Sequence, residues 1–242
     1  MGRRFRIGTS GWHYPHWRGP FYPRDLAADA WLEYYARRFD SVEINNSFYQ
    51  LPSRRTLRAW CAAVPAGFRF AIKASRYITH MKKLTAPRGS LRRFLAALDA
   101  LGDKRGPALF QLPPRWRCDP GRLERFLAAL PDGLECAFEF RDPSWHNDEV
   151  YGLLRDRGAA FCIYDLAGFT APRVTTAPFG YVRLHGPARA YRDRYGPARL
   201  RRWAQQLKAL PAMRRAYVYF DNDAAAGAVA DALALKRLLA PR

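Results

Sequence analysis

Eight short runs of apolar, β-branched and aromatic residues recur along this chain, each separated from the next by a stretch of helical periodicity, and this alternation restricts the fold more than any other feature. The runs are FRIGTS (5–10), SVEIN (41–45), FRFAIKA (68–74), PALFQL (107–112), LECAFEF (134–140), AFCIYD (160–165), GYVRLH (180–185) and AYVYFD (216–221). Between them lie AWLEYYARRF, RRTLRAWCAAV, SLRRFLAALDAL, GRLERFLAAL, NDEVYGLLRDRG, PARLRRWAQQLKAL and AGAVADALALKRLL, several closed by Gly or Pro, while the stretch after Asp165 reads as a loop. Strands that alternate with crossover helices pair in parallel, and the glycine-rich phosphate loop of an open doubly wound sheet is missing. The expectation is an α/β fold of the (β/α)8 TIM-barrel type, with a seven-stranded or irregularly closed barrel as the alternative. A length of 242 residues with 49% hydrophobic residues supports one large core, and no linker divides it, so residues 1–242 read as a single domain.

In such a barrel one face of each strand meets the helices, the other points inward, and active sites sit at the C-terminal strand ends. Alternation puts Val42, Ile44, Phe70, Ile72, Phe110, Leu112, Phe138, Phe140, Val182, Leu184, Val218 and Phe220 toward the helices. The opposite set is polar near the strand ends: Thr9, Glu43, Asn45, Lys73, Gln111, Glu139, Arg141, Asp165, Arg183, His185 and Asp221. Burying so many ionisable groups is expensive unless they are paired, which points to a site rather than to lumen filling. General acid/base chemistry would draw on Glu43, Glu139 and Asp165, with His185 as proton shuttle. Lys73, Arg141 and Arg183 would hold an anion, and Asn45, Gln111 and Asn222 would orient it. For Glu43 the competing reading is a structural ion pair with Lys73 or an arginine. No cofactor is spelled out. A divalent metal is the alternative, since Glu43, Glu139, Asp165 and His185 are ligand types for Mg²⁺, Mn²⁺ or Zn²⁺, but three cations share the ring and no HExxH spacing occurs. A Schiff-base role for Lys73 ranks below a salt bridge, because a lysine among carboxylates keeps a high pKa.

The loops add aromatic and basic groups. In SGWHYPHWRGPFYPRD, Trp12, Tyr14, Trp17, Phe21 and Tyr22 alternate with His13, His16, Arg18 and Arg24, and Phe48, Tyr49, Trp145, Tyr191 and Tyr195 would extend a platform for bases or sugars. The alternative is that these rings pack the loops onto the barrel. After the seventh run, HGPARAYRDRYGP sets Gly186 beside Arg189, Arg192 and Arg194, a pattern suited to phosphate. A formal charge of +20 attracts polyanions, so an anionic small molecule or nucleic acid is the expected partner; solvated arginines spread over helices would give the same sum. Cys61, Cys118, Cys136 and Cys162 form no C-x-x-C pair and read as reduced thiols, with Cys136 and Cys162 expected on the helix-facing side. Without a signal-like or membrane-spanning apolar stretch, a cytoplasmic protein with no membrane partner is expected.

The runs IGTSGWHYPHWRGPFYP, FDSVEINNSFYQLP, FRFAIKAS, LFQLPP, FEFRDPSW, YVRLHG and YVYFDN together resemble the DUF72 family over essentially the whole chain. The resemblance implies a TIM-barrel-like fold with some likeness to barrel endonucleases and sugar isomerases, and carries no settled activity. Asp221 departs from the family pattern, where Asn is more usual, so the resemblance points to Asn222 sooner than to Asp221. The resulting expectation is a mouth that binds a phosphate-bearing anion, with hydrolytic, phosphodiesterase or nuclease-like chemistry. The alternatives are a non-catalytic nucleic-acid-binding module and an enzyme for a sugar or sugar phosphate.

Overall fold

Each of the eight apolar runs is a β-strand in the computed structural model, which describes residues 4–85, 88–210 and 213–240. They are Arg4–Thr9 (β1), Ser41–Ile44 (β2), Arg69–Lys73 (β3), Arg105–Gln111 (β4), Cys136–Glu139 (β5), Ala160–Leu166 (β6), Phe179–Leu184 (β8) and Arg215–Phe220 (β9). The loop expected after Asp165 contains one more element, the two-residue strand Phe169–Thr170 (β7), which folds back antiparallel on the end of β6. The principal strands are parallel throughout, in the order β1-β9-β8-β6-β5-β4-β3-β2.

The two ends of that order meet. Ser10 and Glu43 form an isolated parallel bridge, with Gly11 N–H donating to Glu43 O at 2.8 Å, so the sheet closes between β1 and β2. Gly8 makes the approach sterically feasible: a Cβ there would lie 2.1 Å from Ser41 O and 2.8 Å from the Tyr35 hydroxyl. The fold is thus a nearly closed eight-stranded parallel barrel of the TIM-barrel type.

The helices are Trp31–Ala36 (α1), Arg54–Ala62 (α2), Arg88–Asp99 (α3), Pro120–Ala128 (α4), Asp148–Arg157 (α5), Gly196–Ala209 (α6) and Gly227–Leu239 (α7). Short polar residues start several of them by accepting a free amide: Ser53 from Thr56 N, Asp119 from Arg122 N ahead of Pro120, and Asn147 from Val150 N. Among the described residues, no helix is long and apolar enough to cross a membrane.

The layers follow strand parity. All twelve residues assigned to the helix-facing side belong to the outer core cluster. The inner layer is a second cluster in which small residues of one wall (Ala71, Ala137, Ala160, Cys162) face Tyr181, Tyr217 and Tyr219 of the other, filling the lumen below the mouth. Parity also corrects three placements. Thr9 alternates with Phe5 and Ile7 and sits on the outer face, where its hydroxyl meets that of Tyr35 at 3.0 Å. Asp165 alternates with Phe161 and Ile163 and likewise faces outward. Cys162 alternates with Ala160 and faces the lumen, so only Cys136 of the two cysteines is helix-facing. Both are buried and unpaired, and burial pushes the Cys136 thiol up to about 12 and the Cys162 thiol well above its usual range. Thiol reagents are therefore expected to leave Cys136 and Cys162 unmodified in the native protein until it unfolds, as read by peptide mass mapping. Labelling of either at the rate of the half-buried Cys61 or Cys118 would contradict the layering.

Candidate functional site

Arg183 is the centre of the mouth. It projects inward from the end of β8, is 1% exposed, and joins carboxylates from three other strands or their ends. Nη2 donates to Glu43 Oε1 at 2.7 Å and lies 3.5 Å from Asp221 Oδ2, while Nη1 donates to Glu139 Oε2 at 2.8 Å. Glu43 also accepts from Ser10 Oγ and, on Oε2, from Tyr181 OH at 2.7 Å. Glu139 accepts from Arg141 Nε on its other oxygen. Burial alone would raise the Glu139 pKa, but the Arg141 and Arg183 guanidiniums hold it well below the carboxylate range. Of the two readings for Glu43, the geometry matches the ion pair, with Arg183 as its partner.

His185 is fully buried between these groups. Its Nε2 lies 3.1 Å from Arg141 Nη2 and 3.3 Å from Arg183 Nη1, and a guanidinium can only donate, so Nε2 accepts and Nδ1–H donates to Asp221 Oδ2 at 3.0 Å. Both nitrogens are thus occupied within the cluster. The imidazole holds Asp221 in place and reaches the cavity only through that carboxylate. Burial pushes Asp221 up, yet the His185 bond and Arg183 hold it below its usual value.

Above the cluster opens a cavity of about 300 Å³, lined by Tyr14, Asn45, Phe48, Tyr49, Lys73, Arg183, Tyr191, Asp221 and Asp223. Glu43 and Glu139, both fully buried, are not part of its wall. Lys73 is. Its expected salt bridge is corrected: among the described residues no carboxylate lies within ion-pairing distance of Nζ, which sits instead over the Phe48 ring at 4.1 Å. Burial, then repulsion from Arg183, lowers its pKa to about 8, against the pull of Glu139, Glu43 and Asp221. Asn45 Oδ1 is buried and, among the described residues, has no hydrogen-bond partner.

Asp223 lies in the turn after β9 and carries the opposite shift to Asp221. Burial, with Asp221 adding repulsion, raises it to about 6 although Trp17 Nε1 donates to it at 2.7 Å and His16 Nε2 lies 2.9 Å away. Neighbouring carboxylates that titrate apart are the arrangement acid/base catalysis needs, and here they are Asp221 and Asp223. No pattern singled out Asp223, which stands in a loop. Ser10 and Tyr181 were legible and overlooked: each is an inward position of its strand by the same count that found Glu43 and Arg183.

Other expected contributors are placed elsewhere. Asp165 bonds Thr170 Oγ1 at 3.1 Å and lines a separate cleft of about 240 Å³ with Arg173, Arg199 and Arg202. Asn222 points outward, its Nδ2 donating to Asp231 of α7 and to Asp193 O, both at 2.8 Å, so the reading that favoured it over Asp221 is reversed. Gln111 faces inward but donates to Leu112 O at 2.7 Å. Gly186, at φ +122°, is required because a Cβ would lie 2.4 Å from both Arg189 O and Arg192 O; its own loop occupies the space proposed for phosphate. Arg189 pairs with Asp193 and Arg194 with Asp231, leaving Arg192 exposed. Of the aromatic platform, Tyr49 and Tyr191 border the cavity and stay exposed at 76% and 48%. Trp17, Trp145 and Tyr195 are buried packing residues, and Trp12 packs edge-on against Trp60 in a neighbouring cleft. Among the described residues, no three His, Cys, Asp or Glu side chains converge as a metal-ligand set; guanidiniums occupy Glu43 and Glu139, and Asp165 lies in a separate cleft.

The same architecture recurs in known proteins. A DUF72 family protein from Thermotoga maritima superposes with a TM-score of 0.88 at 27% identity, covering 98% of this chain and 99% of the other. One from Enterococcus faecalis gives 0.83 at 19% identity, over 97% and 95% of the two chains, a likeness of fold alone. By sequence, UPF0759 protein YunF of Bacillus subtilis is 24% identical over 96% of this chain and 94% of its own length. UPF0759 protein YecE of Escherichia coli is 30% identical over 57% of this chain and 49% of its own. The profile described as "Protein of unknown function DUF72" matches residues 6–242, and with the barrel and its mouth that coverage makes this chain a member of the DUF72 family.

Proposed function

We propose that the mouth binds a compact hydroxylated carbonyl compound of the sugar or sugar-phosphate class and moves protons on it, with Asp221 as base and Asp223 as acid. The observation that carries this reading is the cavity of about 300 Å³ into which Lys73, Arg183, Asp221 and Asp223 open together. That volume suits a small molecule, and Asn45 in its wall carries a buried side-chain oxygen that has no hydrogen-bond partner among the described residues. Phosphodiester cleavage and nucleic-acid docking, the readings the +20 charge suggests, call for surplus positive charge at the mouth. Here Glu43, Glu139 and Asp221 balance Lys73, Arg141 and Arg183.

The test is a melting-temperature screen of small aldoses, ketoses and their phosphates beside single-stranded and duplex oligonucleotides, followed by NMR in D2O with any sugar that binds. A ligand at a hundred times its Kd adds about 2.7 kcal/mol of stability. Deuterium should enter at the carbon next to the carbonyl, and Asp221→Asn should slow that exchange about a hundredfold or more, the scale of a general base. Stabilisation by oligonucleotides with none by sugars would sink the reading.

A further inference from the structure

We propose that Lys73 is a covalent amine, adding through Nζ to the carbonyl carbon of a small aldehyde or ketone in the mouth cavity and holding it as a Schiff base. The proposal deepens the sugar-class reading above and rests on it for the substrate.

The placement of Lys73 sets it apart from the other cations of the mouth. Arg141 and Arg183 are locked to carboxylates, whereas the lysine at the end of β3 is buried along its stem, ends in the cavity, and has an aromatic face rather than a counterion at its tip. Phe48 is itself braced edge-on by Tyr49 at 5.0 Å and His80 at 4.9 Å, so the amine rests on a fixed surface. A structural lysine in a barrel lumen would be expected to neutralise a buried carboxylate; both candidates, Glu43 and Glu139, are already saturated by arginine.

The chemistry needs an uncharged amine. The charged groups acting on Lys73 are Arg183 from β8, Glu139 from β5, Glu43 from β2 and Asp221 from the end of β9, with Asp223 opening into the same cavity. His80, from the turn after β3, is held neutral by burial and by Lys73 itself, its pKa lowered to about 4. Burial and Arg183 outweigh the acids, and a neutral Nζ becomes available near pH 8. Its lone pair then forms the N–C bond while the carbonyl π pair moves to oxygen, which is protonated. Departure of that oxygen as water removes both amine hydrogens and leaves C=N, and protonation of the imine nitrogen gives the iminium. The proton donor in the cavity is Asp223, part-protonated below neutrality, and no oxidant or reductant is consumed.

The test uses the intact protein, glycolaldehyde as the carbonyl probe and sodium cyanoborohydride to reduce any imine in place, with peptide mass spectrometry to locate the hydroxyethyl group. The chain has six lysines, Lys73, Lys82, Lys83, Lys104, Lys208 and Lys236, so five serve as internal controls. Lys73 should be modified about tenfold or more faster than the exposed Lys82 and Lys83, because a lowered pKa enlarges the neutral fraction. The rate should pass through a maximum between about pH 6 and 8, falling at lower pH as Lys73 is protonated and at higher pH as Asp223 is ionised. Lys73→Arg should lose the fast phase while retaining its melting temperature. Equal modification of Lys73 and the exposed lysines, or none at Lys73, overturns the proposal. If sugars still stabilise the protein in that case, the covalent role alone falls and the sugar-class reading stands. Selective modification of Lys73 without stabilisation by any sugar would instead support the reactive amine and overturn the substrate class.

Discussion

Arg183→Met lowers the free energy of unfolding by about 3–5 kcal/mol, the loss typical of removing one partner from a buried ion pair, and here Glu43 is stranded while Glu139 keeps Arg141 alone. For a chain of this size, that is a fall in melting temperature of roughly 10 °C. Urea unfolding followed by tryptophan fluorescence measures it directly. The cause is electrostatic rather than steric, since methionine fills much of the space of an arginine stem. Adding Glu43→Gln to the same variant should therefore restore part of the loss, because the amide leaves no carboxylate without a counterion, whereas Glu139 still answers Arg141. A fall below about 1 kcal/mol would mean that Glu43 and Glu139 are not held as charged groups by Arg183.

Gly8→Ala is expected to be nearly as damaging, at about 3 kcal/mol, although it adds a single methyl group. The new Cβ would lie 2.1 Å from a backbone oxygen, Ser41 O, which cannot swing aside as a flexible side chain would. Relief requires β1 to move away from β2, which stretches the Ser10–Glu43 bridge. Gly152→Ala, within α5 and with open space around it, is the matched control and should stabilise by about 0.5–1 kcal/mol. Chemical denaturation of the two variants side by side decides the matter; equal stabilities would refute close contact at this junction.

Much of the barrel was legible because period-two alternation is a local signal. It sorted the twelve apolar helix-facing residues correctly, though not Cys162, and found Glu43, Lys73, Glu139, Arg183 and Asp221 as inward groups. Asp165 and Thr9 failed for want of that same count, which pairs each with the apolar outer residues of its own strand. Partner choice was not legible. Arg183 reaches Glu43 140 residues away and Glu139 44 residues away, and nothing local says that these two, rather than Lys73, complete the pairs. The free state of Lys73 is a consequence of those distant choices. In the loop after β8, by contrast, Asp193 stands four residues from Arg189, so the local ion pair that diverts that arginine from phosphate could have been read directly.

The arginine-centred cluster also governs which substitutions the lineage can tolerate. A one-step change at Arg183 or Glu139 leaves Glu43 or Arg141 without an ion-pair partner among the described residues, so drift at these positions must cross a deep valley unless two changes arrive together. Their persistence in descendants would report the demands of folding as strongly as those of any reaction. Lys73 carries no such obligation, because among the described residues no carboxylate lies within ion-pairing distance of it. Of the inward cations, it is the one whose retention over evolutionary time would speak for a ligand rather than for the barrel.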